Sequence, residues 1–299
     1  MPENSIHTLD LNFMGLPGAI AAYLLPHRHG AVLVECGPGS TLPYLCAALK
    51  AHGYSPADIT DVLVTHIHLD HAGAAGWLAR QGARVHVHPV GAPHLRNPDK
   101  LLTSAQRIYG DMLDTLWGEF LAAPADRLSV LSDGEVVEID GLRFLALDTP
   151  GHADHHFAYL HGDTLFSGDI GGVRLAGIRH IRLPMPPPEF HLEKWVLSLE
   201  RLERESFTRI ATTHYGIHND SAWHLGALRR TLVEVRDWME AHLPFDPPLE
   251  ELNTQFLAWA RQRSERDGVD QVVLQAYETA NPSWMSTHGI QRYWRKYRQ

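Results

Sequence analysis

Cysteine is nearly absent. Cys36 and Cys46 are the only 2 among 299 residues, so neither a disulfide framework nor a thiolate-built zinc site organises the chain, and the usage fits a reducing compartment. Long apolar runs are missing as well: no stretch reaches the roughly 18 apolar residues of a membrane span. The opening MPENSIHTLDLNF has no basic segment leading into an apolar one, so the expectation is a cytoplasmic protein without membrane association. Positive charge is in deficit, 26 Lys+Arg against 35 Asp+Glu for a formal net charge of -9, which disfavours nucleic acid as a partner. The GxSxG signature of a serine nucleophile is lacking too. What remains, 44% hydrophobic and 20% charged, is an ordinary globular balance that excludes disorder, collagen-like repeats and coiled coil. The length suits one large domain or a domain with an appendage. The excess lies in histidine, 21 residues, and the question is whether these are scattered or organised.

Over residues 1–220 short apolar runs alternate with amphipathic ones. GAIAAYLL (18–25), AVLVEC (31–36), DVLVT (61–65), ARVHVH, LRFLAL, FAYLH, DTLFSG and RIATT read as strands. Leu42, Leu45 and Leu49 recur at helical spacing, and AGAAGWLARQG (72–82) reads as another helix. Interleaved strands and helices argue for an α/β layered domain. Residues 94–133 break the series with a helical stretch carrying Leu101, Ile108, Tyr109, Leu113, Leu116, Trp117 and Phe120; an insertion packed on the sheet is the first reading, a cover lining the site the second. RLPMPPPEF (182–190) is a rigid connector before an amphipathic helix with Leu192, Trp195, Val196, Leu199 and Leu202 on one face. Residues 221–299 read as a helical C-terminal extension. It ends in IQRYWRKYR, where Arg292, Arg295, Lys296 and Arg298 interleave with aromatics, read as a solvated helix face with aromatic anchors.

The chemistry concentrates in VLVTHIHLDHAGAAG (62–76). A buried strand delivers His66, His68, Asp70 and His71, four potential ligands within six residues. His66 and His68, two apart in an extended segment, project to one side and can bind one ion; Asp70 and His71, past the turn, can address a second. Three further apolar runs end in residues that metals favour: LALDTPGHADHH presents His152, TLFSGDI presents Asp169 and RIATTHYG presents His214. In open α/β sheets, sites form where strands end. Five histidines and two aspartates suit two divalent metal ions, Zn2+ first, with Fe or Mn also compatible with the carboxylates. A water held between such ions loses a proton near neutral pH, which supplies a hydroxide nucleophile without serine or cysteine.

The pattern resembles the metallo-β-lactamase superfamily, whose H-x-H-x-D-H stands here as His66-Ile67-His68-Leu69-Asp70-His71, with TPGH, SGD and TH elements following in family order. The resemblance covers about the first 220 residues. It implies an αββα sandwich of two mixed β-sheets with helices outside and the metals at one edge. It also implies that His66, His68 and His152 ligate one metal, that Asp70, His71 and His214 ligate the other, and that Asp169 bridges them. Asp70 is further implied to be catalytic, orienting the nucleophile and handling protons. There are departures. Glu35-Cys36-Gly37 replaces the early Asp-Thr-Gly turn, which implies a rearranged support for the site, and Ala153-Asp154-His155-His156 puts His155 where glycine is usual. Histidine at the second motif position, without a flavodoxin-like domain, disfavours the flavodiiron branch.

Around this core, His156, Tyr215 and Arg174 are candidate contacts to a small-molecule substrate: His156 beside a ligand, Tyr215 as an oxyanion donor, Arg174 toward an anion. His155 shares the claim of His156 to bond substrate or orient a ligand, His180 that of Arg174 toward an anion, and His86 and His88, which share a strand face, read as structural. The expected reaction is hydrolysis of a thioester or carboxylic ester, resembling the glyoxalase II-like branch, which also carries a helical C-terminal appendage. The alternatives are a phosphodiesterase or nuclease of the same fold and a mononuclear iron oxidoreductase resembling persulfide dioxygenase. Retention of Asp70, His71 and His214 favours two metals over one. A β-lactamase is disfavoured by the lack of a signal peptide. The insertion and extension offer apolar surface for a homodimer, and specificity resides in them and in the connector, where no motif is readable.

Overall fold

The structure, a computed structural model, describes residues 5–299. Six strands form the first sheet: β1 (His7–Asp10), β2 (Ala21–His27), β3 (Gly30–Val34), β4 (Ile59–Leu63), β5 (Arg84–Val87) and β6 (Leu128–Val130). Six form the second: β7 (Val136–Ile139), β8 (Leu142–Asp148), β9 (Phe157–His161), β10 (Thr164–Phe166), β11 (Arg209–Thr212) and β12 (Gly216–His218). Spatial order follows chain order in both sheets. Pairing is antiparallel wherever a short turn joins neighbours and parallel from β3 to β6 and between β10 and β11. Parallel neighbours need a crossover, commonly a helix. Here α1 (Leu42–Ala51) joins β3 to β4, and α2 (Leu69–Ala72) with α3 (Ala75–Gln81) joins β4 to β5. The short α4 (Ala92–Arg96), α5 (Asp99–Tyr109) and α6 (Leu113–Trp117) lie between β5 and β6, and α7 (Leu192–Leu202) lies between β10 and β11.

Alternation places one residue of each strand pair between the sheets. Tyr23, Val32, Val34 and Leu63 of the first sheet meet Phe144, Phe157, Tyr159 and Phe166 of the second, all buried. The opposite face of the first sheet is covered by α1, α3 and α5; that of the second by α7 and the C-terminal helices. The layers are thus αββα. In α7 the buried set Leu192, Trp195, Leu199 and Leu202 repeats at three- and four-residue intervals, as the sequence predicts.

After β12 the described residues form only helices beyond short turns: α8 (Ser221–His242), α9 (Leu249–Arg266), α10 (Gln271–Ala280) and α11 (Ser283–Tyr297). They share one core with the second sheet, in which Leu147, Leu165 and Ile210 pack with Leu228, Phe256 and Ile290. Gly289 lets α11 cross the proline-rich connector closely, since a Cβ there would collide with the Met185 carbonyl. Arg295 is taken by Asp246 and Arg298 by Glu193, while Tyr293 is buried against Phe190. Among the described residues no helix is long and apolar enough to cross a membrane. The helical stretch expected within 94–133 runs to Trp117 and is followed by a 3₁₀ turn at Ala125–Arg127 and by β6, which with β1, β7 and β12 was not predicted.

Candidate metal centre

The C-terminal ends of β4, β8, β10 and β11 open onto one edge of the sandwich, and the residues just beyond them are His66 and His68, His152, Asp169 and His214. His66 Nε2 and His152 Nε2 each lie 2.9 Å from His68 Nδ1 and 3.2 Å from each other. A second group forms beside it, with Asp70 Oδ2 3.4 Å from His214 Nε2 and 3.7 Å from His71 Nε2. Asp169 lies between the groups. Its Oδ1 is 3.4 Å from His71 Nε2 and 3.6 Å from His214 Nε2, and its Oδ2 is 3.3 Å from His152 Nε2. All seven residues singled out as ligands therefore meet in one place.

On four of the five histidines the remaining ring nitrogen is spoken for, which favours one tautomer for each. Nδ1 of His152 donates to the Pro184 carbonyl at 2.8 Å and Nδ1 of His214 to the Ala19 carbonyl at 2.8 Å. Nδ1 of His66 meets the Thr65 hydroxyl at 3.1 Å, and that hydroxyl donates to Glu35 at 2.5 Å. Nδ1 of His71 donates to Glu35 at 3.0 Å. The Thr213 hydroxyl and the Thr65 amide also donate to the Glu35 carboxylate, at 3.0 and 3.3 Å. Glu35 thus supplies from this chain's Glu-Cys-Gly turn a support that no sequence spacing reveals. His68 is turned the other way, its Nδ1 facing the centre and its ring bordering the His155–Glu189 pair, joined at 3.0 Å.

With the Nδ1 atoms of His66, His71, His152 and His214 engaged outward, their Nε2 atoms and Nδ1 of His68 converge on the centre, and His71 Nε2 and Asp169 Oδ1 are buried without a hydrogen-bond partner. Converging neutral nitrogens and carboxylate oxygens are what a divalent cation requires, so the residues fit the implied metals. Burial, then neighbouring rings, pushes His66 well down and His68 to about 3, keeping both neutral. Burial lowers His71, but Asp169, Asp70 and Glu35 outweigh it and raise it well above the usual value; a proton and a cation compete for its Nε2. Burial raises Asp70, yet His71 and His214 outweigh it and hold the carboxyl at about 2.

The three residues expected to touch substrate are placed elsewhere. His156 is buried behind the ligands, its Nδ1 2.9 Å from the Thr149 hydroxyl and its Nε2 accepting from the Ile170 amide at 3.4 Å, so it braces the Asp169 loop. Arg174 is engaged bidentately by Asp220 at 2.6 and 3.0 Å and stacks over Trp223, and carries no free charge toward the site. The Tyr215 ring lies against Gly18, and the residue is not part of the cavity wall. His180 bonds to Asp267 of the appendage at 2.7 Å. His86 pairs with Asp61 at 2.8 Å and His88 faces Asp148 at 3.3 Å, both structural as expected.

What does face the centre is a cavity of about 1130 Å³, whose lining includes His68, Asp70, His152, Asp169 and His214. The helices of the insertion, besides packing on the first sheet as first read, also line it, and so do Pro184, Pro186, Pro187 and Pro188 of the connector. Tyr109 stands in its wall, and burial, then the charge of Asp70, pushes its phenol pKa up, so it remains a donor. Residue type alone, an aromatic in an amphipathic run, gave no sign of this.

An αββα sandwich with such a centre at the strand ends is the mark of the metallo-hydrolases, and fold and site place the protein in that class. A profile of the Metallo-beta-lactamase superfamily matches residues 15–214, and the chain belongs to that superfamily. Among its relatives is the Metallo-beta-lactamase fold-containing protein ST1585 of Sulfurisphaera tokodaii, 27% identical over 67% of this chain and 74% of that protein. A Hydroxyacylglutathione hydrolase of Ectopseudomonas mendocina is 33% identical, but over 45% of this chain and only 42% of its own length. Among solved structures, the metallo-beta-lactamase family protein TTHA1429 from Thermus thermophilus superposes with a TM-score of 0.64 at 23% identity, covering 99% of this chain and 94% of that one. The superposition takes in the C-terminal helices, so the fold likeness extends past the profile match.

Proposed function

We propose that the protein is a dinuclear metal-dependent hydrolase of a thioester or carboxylic ester. The observation that carries the reading is Asp169, whose two oxygens lie one toward each group of ligands at 3.3–3.6 Å. In this reading His66, His68 and His152 would hold one ion, Asp70, His71 and His214 the other, and Asp169 would serve both; Zn2+ would suit the nitrogen-rich set first, with Fe or Mn also accommodated. Two such ions supply an acidified water and polarisation of the scissile carbonyl. The chain's own residues do the rest. Asp70, ionised at neutral pH and half-buried at the cavity floor, accepts a hydrogen bond from the attacking water and orients it. The Tyr109 hydroxyl donates to the charge developing on the carbonyl oxygen. The apolar wall excludes other water. The partial match to hydroxyacylglutathione hydrolases supports acyl transfer to water over phosphodiester cleavage.

Metal analysis and a substrate panel test this. Two equivalents of metal per chain are expected, with turnover of thioesters or esters and not of bis-p-nitrophenyl phosphate. Asp70→Ala is expected to abolish turnover and lower metal content. Full activity at one equivalent would overturn the dinuclear assignment, and one tightly bound iron with oxygen uptake would overturn hydrolysis.

A further inference from the structure

We infer that the cavity over the metal centre is a pocket for a long, uncharged acyl chain of about eight carbons or more, a specificity that rests on the ester and thioester reading above. Its size is the first argument. At about 1130 Å³ it exceeds the ~300–1,000 Å³ typical of pockets for drug-sized ligands, so a two- or three-carbon acyl group would leave most of it as water against apolar walls. Its lining is the second. Leu101, Ile108 and Trp117 of the insertion face Val273, Ala276 and Met285 of the appendage, and the rings of Tyr109 and Trp284, 6.4 Å apart edge to face, close the two additions over the site.

Charge is the third argument. Among the described residues lining the cavity there is no lysine or arginine. Its acids are Asp70 and Asp169, which belong to the metal centre, and Glu278, whose carboxylate is taken by Arg182 at 2.5 Å and by the Ser283 hydroxyl at 2.8 Å. An anionic conjugate would therefore find no side-chain counter-charge in the pocket away from the metal centre, while each methylene of an alkyl chain gains from leaving water. The step is plain hydrolysis. Water oxygen bonds to the acyl carbon, the C–S or C–O bond breaks with its electron pair going to sulfur or oxygen, and the departing thiol or alcohol takes one proton from water.

The test uses the full chain loaded with metal and N-acetylcysteamine thioesters from acetyl to dodecanoyl. kcat/KM should climb about fourfold per methylene, roughly two orders of magnitude between butanoyl and octanoyl. Ala276→Asp, which puts a carboxylate on the wall, should cut the octanoyl-to-acetyl ratio at least tenfold. In parallel the metal-free protein should bind the uncharged dye Nile red and release it to dodecanol. Acetyl turnover with a ratio that stays within threefold along the series, or preference for a glutathione thioester over an alkyl one of equal length, overturns the pocket and leaves the hydrolase reading standing. No thioester or ester turnover, with dye binding that dodecanol displaces and Ala276→Asp weakens, supports the pocket and removes the proposed reaction.

Discussion

At position 35 a glutamate adopts φ 66, a left-handed conformation that costs a non-glycine residue roughly 1–2 kcal/mol. The carboxylate explains why it is tolerated: it accepts from Thr65 twice, from Thr213 and from His71, linking three strand ends to one ligand. Glu35→Gln keeps the length and removes an acceptor, setting an NH₂ donor against hydroxyl and amide donors. The expected cost is ~1–3 kcal/mol of stability and a roughly 10–100-fold loss of metal affinity. Thermal melts and metal retention against a graded chelator would check this; unchanged retention would show that His71 does not depend on Glu35. Tyr109→Phe is the second substitution at this scale. It keeps the packing on Trp117, 5.2 Å between ring centres, and removes only the hydroxyl. kcat should fall about 100-fold with KM within threefold if the phenol serves the transition state, and equal kcat values would remove Tyr109 from the proposed mechanism.

Among the elements, the turn after β10 carries the residue that spans the centre. Gly168, at φ 51, lies where a Cβ would stand 2.5 Å from Thr65 Oγ1 and 2.7 Å from His156 Nε2. Gly168→Ala adds that clash to backbone strain and displaces Asp169, so the expected outcome is a lower melting temperature together with metal content falling toward one equivalent. A melting loss without metal loss would separate the turn from the site. The same turn shows why the ligands were legible and their supports were not. Each ligand follows an apolar strand within a few residues, so pattern and spacing suffice. Glu35 meets Thr65, His71 and Thr213 at separations of 30, 36 and 178 residues, which only the folded topology brings together. β1, β6, β7 and β12 went unread because they are the edge strands of the two sheets, partly exposed and without the run of buried apolar residues that marks the equally short β10. In the insertion and appendage, periodicity shows which helix face is apolar and not whether that face meets a sheet or a cavity.

Across the whole molecule, the appendage is tied to the catalytic layers through buried neutral histidines, and this predicts how the fold responds to acid. Burial pushes His224 down to about 3, and it donates to the Gly171 carbonyl at 2.8 Å. Burial also lowers His180 and His218 to about 4. Unfolded, each titrates near 6.5. Because the folded value is the lower one, the unfolded chain binds protons first on acidification: stability is full above pH 6.5 and declines toward pH 3–4, by up to about 1.4 kcal/mol per pH unit for each histidine. The depressed carboxylates act in the same direction but lower. Asp220, held at about 2 by Arg174, contributes stability above its unfolded value near 4 and loses it as pH falls through about 2. Melting of metal-free protein should therefore weaken well above the carboxylate range. His224→Gln can keep the bond to Gly171 without demanding a proton, so it should gain about 2 kcal/mol relative to the parent chain between pH 6.5 and pH 5. The metal-centre histidines are common to both proteins and drop out of that difference; a gap that stays constant across this window would show that His224 is not the neutral group the packing requires.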